Sequence, residues 1–231
     1  MISNTPENAT FSRGANVART AATRLQAPHS TLGKTPESGN FMGTARMEAF
    51  SDGVIAVIIT IMVLELKAPQ VPAISELFAR WHILASYAAS FTFVAIYWVS
   101  HHHLMHTVRR VGAPTLWLNI HWLFWLSLYP FVTNYVSETK GAPLAIACYA
   151  AVAAAAAIAF GILAHDLRVR NTESGVLSHD ERRSMMKNLT SIALQLLAVP
   201  MAYVSVSIAC LLLAIPPVIY FMPDRAAERS T

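Results

Sequence analysis

Gly53-Val54-Ile55-Ala56-Val57-Ile58-Ile59-Thr60-Ile61-Met62-Val63-Leu64 is an uninterrupted apolar run containing a single hydroxyl, and Arg46, Glu48 and Asp52 stand directly before it. A helix of about 20 such residues crosses a hydrocarbon core of about 30 Å. Ionisable groups at that depth cost roughly 2.5–3.5 kcal/mol each on insertion scales, so they pair with one another and face a protein interior. The pattern recurs along the chain: no Asp, Glu, Lys or Arg occurs between Arg80 and Arg109, Arg110 and Glu138, Lys140 and Asp166, or Lys187 and Asp224. Only 13% of the 231 residues are charged and 55% are hydrophobic, against about 25% charged in soluble domains. The apolar segments are continuous rather than alternating, which selects helices over barrel strands. The chain reads as an all-α, polytopic membrane protein.

The apolar gaps set the expected organisation. Residues 1–44 are polar, with Pro6, Pro28, Pro36 and scattered arginines, and read as a disordered cytosolic tail. Helices are expected over 46–66, 82–106, 115–136 (kinked at Pro130) and 142–164, with a short amphipathic stretch at 73–80. The fourth is rich in alanine, seven of the eight residues from Ala150 to Ala157, and small side chains let helices approach closely in lipid. Residues 188–223 would extend about 54 Å as one helix, too long for a single crossing, so two are expected, 187–203 and 205–222, joined near Tyr203 to Ser207. That makes six helices in a domain covering 45–222, followed by a short cytosolic tail at 223–231. Arginines and lysines concentrate in the N-terminal tail and in the second and fourth loops (Arg109, Arg110; Arg168, Arg170, Arg182, Arg183, Lys187), which places both termini in the cytoplasm.

Several function classes recede. The net charge of +4 forms no basic stripe with interleaved aromatics, so no nucleic-acid partner is expected. Cys148 and Cys210 lie inside apolar runs and suggest no disulfide framework. On the first helix, Gly53, Val57, Thr60, Ile61 and Leu64 share one side. That stripe is either a packing seam or a narrow apolar passage flanked by Asp52 and Glu65, which is one way to build a cation path that gates by dewetting. No Thr-Val-Gly-Tyr-Gly loop is present, so any selectivity must come from side chains on helices. The hydroxyl of Thr60 could equally bond back to its own helix. His102 and His106 have the i, i+4 spacing of zinc pairs, but neighbouring segments offer no evident third carboxylate or cysteine, and no metal is expected there. One histidine of the group, with His102 as the candidate, is expected to hydrogen-bond to Asp52, Ser51 or Asn119. Asn119 and His121 each need a partner of their own. Rival readings are a proton-coupled cation transporter using Asp52 and these histidines as a relay, and a membrane-embedded enzyme built on His101 to His106.

Arg46-x-x-x-Phe50-Ser51-Asp52-Gly53 with the apolar run to Leu64-Glu65 resembles the signature of bacterial members of the transmembrane protein 175 potassium-channel family. Trp98-x-x-His101-His102-His103, Leu116-Trp117-Leu118-Asn119 and Tyr129-Pro130-Phe131 share that likeness, which covers about residues 45–222. The resemblance implies six helices and one repeat per chain, assembled as a homotetramer whose first helices line a central pore. It assigns Val57, Ile61 and Leu64 to an apolar constriction and Thr60 to a threonine layer. Arg46, Phe50, Ser51 and Asp52, with His102 and Asn119, would hold helices together in a polar network. Position 57 is valine where a longer side chain is expected, which bears on the tightness of the constriction. A potassium channel of a bacterial inner membrane is implied, with lipid and K+ as its partners, and with no cofactor, metal or enzymatic activity.

Overall fold

The structure, a computed structural model, describes residues 41–69, 72–108, 111–171 and 179–221. Among them every regular element is helical. In chain order these are α1 (Phe41–Leu64), α2 (Ile74–Ala79), α3 (Trp81–His106), α4 (Ala113–Leu126), α5 (Tyr129–Glu138), α6 (Pro143–Asn171), α7 (His179–Val204) and α8 (Val206–Phe221). Three described helices are long and apolar enough to cross a membrane, Gly43–Leu64, Trp81–His106 and Pro143–Asn171, and Val206–Tyr220 is a shorter apolar helix. Residues 1–40 of the expected tail, Arg109, Arg110 and residues 223–231 lie outside the described residues.

Boundaries move for local reasons. α1 begins at Phe41, before the expected start of the domain at residue 45, because no proline interrupts residues 41–46. The third apolar segment is two helices, α4 and α5, rather than one helix kinked at Pro130. Proline has no N–H and its ring opposes the carbonyl four residues earlier, so the helix closes at Leu126 and Pro130 sits in the first turn of a new one. α6 runs to Asn171, beyond the expected 164, because Arg170 Nε donates to Asp166 Oδ1 at 2.8 Å, one turn back, an i, i+4 pair that favours helix outside the apolar stretch. α5 ends with Lys140 (φ 50°) and Gly141 (φ 77°) left-handed, and Gly141 N–H reaches the carbonyl of Val136 at 2.9 Å. This is the helix stop that glycine permits, and Pro143 then opens α6.

The final apolar stretch breaks at Ser205, inside the interval read from sequence. Lys187, early in α7, lies 5.9 Å from the ring centroid of Tyr220, late in α8, so the two helices run antiparallel.

α6 is the packing centre. It touches α4, α5, α7 and α8, while α1 lies against α3, α4 and α5. Ala145, Ala150, Ala153, Ala156 and Ala157 of α6 are all buried. An aromatic group fills the space between α3, α4 and α6: Tyr97 meets Trp122 and Phe160 at centroid separations of 6.1 and 5.7 Å. A chain of hydroxyls ties α3, α5 and α6, with Ser90 Oγ 3.0 Å from Tyr149 Oη and 2.7 Å from Thr133 Oγ1.

Gly161 of α6 lies close against Asn188 of α7. A Cβ there would stand 2.6 Å from Nδ2 of Asn188, whose amide donates to the carbonyl of Ala157 at 3.3 Å. Gly161→Ala is expected to push that amide aside and cost about 1 kcal/mol, one net hydrogen bond. Thermal unfolding in detergent checks this. In an Asn188→Ala background the same change should cost nothing, and an equal loss in both backgrounds would defeat the explanation.

Candidate functional site

α1 has two unlike faces. Met47, Ser51, Ile55, Ile58 and Met62 are buried against the subunit, at steps of four, four, three and four residues, which is one helical stripe. The opposite side carries Gly53, Val57, Thr60, Ile61 and Leu64, all exposed. Leu64 is 78% accessible and Val57 55%, so among the described residues this stripe is left largely uncovered. Thr60 Oγ1 donates to the carbonyl of Val57 at 2.8 Å.

Where the buried face begins, α1 is fastened to its neighbours by polar groups. Ser51 Oγ donates to the carbonyl of Met47 at 2.9 Å and accepts from Asn119 Nδ2 of α4, also at 2.9 Å. Asn119 therefore turns its oxygen to His101 Nε2 of α3, 3.2 Å away, which makes Nε2 the protonated nitrogen. The His101 ring stacks on Trp122 with centroids 5.0 Å apart. All three polar side chains are buried: Ser51 and His101 at 0% and Asn119 at 1% exposure.

A second group lies further out. Trp98 Nε1 donates to Asp52 Oδ1 at 3.0 Å, and the indole stacks on the His102 ring at 5.8 Å. His102 Nδ1 meets Glu48 Oε1 at 3.1 Å, and its Nε2 lies 2.9 Å from Nε2 of His106. Both α1 carboxylates near the charged end thus face α3, as costly intramembrane charges should.

The residues read from sequence are divided between these groups. Ser51 and Asn119 meet, but the histidine that joins them is His101, whereas His102 bonds to Glu48. Successive helical residues point about 100° apart, so His101 faces α4 while His102 faces the start of α1. Asp52 is taken up by Trp98 rather than by a histidine. Arg46 is exposed and, among the described residues, makes no ion pair or hydrogen bond; Phe50 is 55% exposed. His121 accepts from Trp125 Nε1 at 3.2 Å, one turn along its own helix. The carboxylate that neighbouring segments were not expected to offer the histidines is Glu48. Its contact spans 54 residues of sequence, and only the packing of α1 on α3 reveals it.

Trp98→Phe removes a donor from Asp52 but leaves a stacked ring over His102. With Trp98 42% exposed, solvent can replace the bond, and a loss of no more than about 1 kcal/mol is expected. Chemical denaturation would read it, and a loss larger than that from any change at Asn119 would reverse the ranking of the two groups.

The comparisons with known proteins agree with one another. Residues 46–130 match the family described as "Endosomal/lysosomal potassium channel TMEM175". A potassium channel of Chryseobacterium sp. (strain P1-3) is 37% identical over 189 residues, 82% of this chain and 98% of that protein. A potassium channel of Streptomyces collinus is 35% identical over 128 residues, covering 52% of this chain and 62% of its own length. The crystal structure of a lysosomal potassium-selective channel TMEM175 homolog from Chamaesiphon minutus superposes with a TM-score of 0.68 at 27% identity, over 82% of this chain and all (100%) of that one. The helical fold, the charged entry to α1 and nearly full-length similarity to a channel of the same kind lead to one assignment: the chain belongs to the TMEM175 family.

Proposed function

We propose that this chain is a potassium-selective cation channel, not an enzyme, and that four copies surround a central pore lined by α1. One observation carries the reading: the Val57, Thr60, Ile61 and Leu64 stripe points out of the subunit while the opposite face of the same helix is buried. A passage along this exposed stripe would be walled by α1 of neighbouring copies, and a closed ring of copies supplies those walls. Val57, Ile61 and Leu64 would then form the apolar constriction. Thr60 spends its proton on the Val57 carbonyl, leaving lone pairs on its oxygen to face a cation. The family relatives named as potassium channels support K+ as the permeant ion.

Ser51, Asp52 and Asn119 serve in this reading as fasteners of α1 rather than ion contacts, with His102 acting through Glu48; Arg46 and Phe50 lie on the outer side of the same segment. The six crossings are α1, α3, α4 with α5, α6, α7 and α8, with residues 45–222 as the channel domain. The ends that carry Glu48, His106, Thr115 and Asp166 meet at one end of the bundle, where Thr115 Oγ1 donates to Asp166 at 2.6 Å. The excess of basic residues in the adjoining loops puts that end, and both termini, in the cytoplasm of a bacterium's inner membrane.

Potassium efflux from liposomes containing the purified chain tests the reading, with valinomycin to report total trapped K+ and a protonophore to remove any proton gradient. Passive efflux without an imposed proton gradient, from particles of four chains by native mass spectrometry, is the expected result. Efflux only when a proton gradient is present would favour a coupled transporter working through Asp52 and the α3 histidines.

A further inference from the structure

Glu48 and the two outer histidines of α3 stand apart from the proposed pore, and their geometry points to a use of their own. His102 and His106 occupy one face of α3 and bring their Nε2 atoms within 2.9 Å of each other. Two nitrogens bound cis to one metal at about 2.1 Å lie roughly 3.0 Å apart at a right angle and roughly 3.4 Å apart in a tetrahedron. The pair, now hydrogen-bonded ring to ring, matches the right-angled spacing and needs to part by about 0.5 Å for the tetrahedral one. Glu48 brings a carboxylate oxygen from α1, and one ligand atom from each of the three residues lies within 4.8 Å of the others. That oxygen is 3.1 Å from Nδ1 of His102, the nitrogen left over when Nε2 binds a metal. A carboxylate behind a ligating imidazole fixes its tautomer and orientation. The site is reachable, since the side chains of His102 and Glu48 are 41% and 27% exposed and His106 is exposed.

We propose that His102 and His106 bind a late first-row divalent cation of the Zn2+ or Ni2+ kind through their Nε2 atoms, with Glu48 as the positioning carboxylate across the α1–α3 contact. Water completes the coordination. Imidazole donors suit these ions and not Mg2+ or Ca2+, which take oxygen. Because the carboxylate belongs to α1 and the imidazoles to α3, the hydrogen bond that orients His102 crosses from one helix to the other.

The test is Zn2+ binding to the full chain, purified without a polyhistidine tag, in competition with a chromophoric chelator at neutral pH. One Zn2+ per chain is expected, undisturbed by excess Mg2+. His102→Ala and His106→Ala should each weaken binding at least tenfold, and Glu48→Gln by about tenfold, as an orienting partner does. His165→Ala, an exposed histidine of α6, should leave binding unchanged. Zn2+ should also alter the part of the tryptophan emission that Trp98→Phe removes, since that indole stacks on His102. Wild-type binding no tighter than that of a His102→Ala/His106→Ala double variant with the same elution profile would overturn the site, as would an equal loss in His165→Ala. No step depends on ion flux, so this outcome is separate from that of the channel reading.

Discussion

Leu64→Trp is expected to reduce potassium flux at least tenfold, and Val57→Trp to do the same, with little change in the amount or stability of folded protein. Leu64 is 78% exposed and Val57 55%, so most of each side chain stands outside the described subunit and an indole has room to extend there. In a ring of four copies each substitution acts four times at one level of the passage, adding bulk from every side. A tenfold fall corresponds to about 1.4 kcal/mol on the barrier, a modest demand on four added indoles. Leu144 is 52% exposed on α6, off the proposed pore, and Leu144→Trp should leave flux near the wild-type level. The flux assay on these variants decides between the two readings of the α1 stripe. Unchanged flux in both pore variants would mean that the stripe is a packing seam between copies and that ions pass elsewhere.

Asn119→Leu is the change expected to cost the fold most. Among the described residues Asn119 is the one hydrogen-bond partner of His101 Nε2, and Nδ1 of that ring has none. Removing the amide leaves a buried imidazole with neither nitrogen paired. Ser51 keeps its bond to Met47 but no longer holds α4. Each orphaned buried group costs about 1–3 kcal/mol, so a loss of roughly 2–4 kcal/mol is expected. Interhelical hydrogen bonds in membrane proteins average nearer 0.6 kcal/mol because the unfolded state finds other partners. Complete burial puts this site at the upper end. Reversible unfolding in mixed micelles measures it, and a cost below about 1 kcal/mol would show that His101 finds another partner. Asn119→Leu with His101→Phe should recover much of the loss, since replacing both members of a buried pair by apolar groups can be nearly neutral.

What the sequence made legible depended on how local the determinant was. The break at Ser205 follows from length alone, because a charge-free stretch too long for one crossing must turn near its middle. That Val57, Thr60, Ile61 and Leu64 share one side of α1 follows from helical period, because side chains three and four apart share a face whatever the helix packs on; that this side faces outward does not. Rotation of one helix against another is not local. Three consecutive histidines, His101 to His103, point in three directions, and only the seat of α3 against α1 and α4 selects His101 for Asn119 and His102 for Glu48. The same holds for Trp98, whose indole reaches Asp52 across 46 residues. The end of α6 was misjudged because apolar composition stops near Ala164, while the helix is carried on by the Asp166–Arg170 pair.

The alanine surface of α6 has a mechanical consequence. An alanine side chain has no rotamers, so a contact built from Ala145, Ala150, Ala153, Ala156 and Ala157 has no alternative packing to exchange with and gives up no side-chain entropy when it forms. A joint of that kind holds one arrangement and can shift only as a rigid body. In machine terms α6 is the stator. α1 differs in kind: one face is left open, and the other is held largely by Met47, Ile55, Ile58 and Met62, side chains that do have alternative rotamers to exchange among.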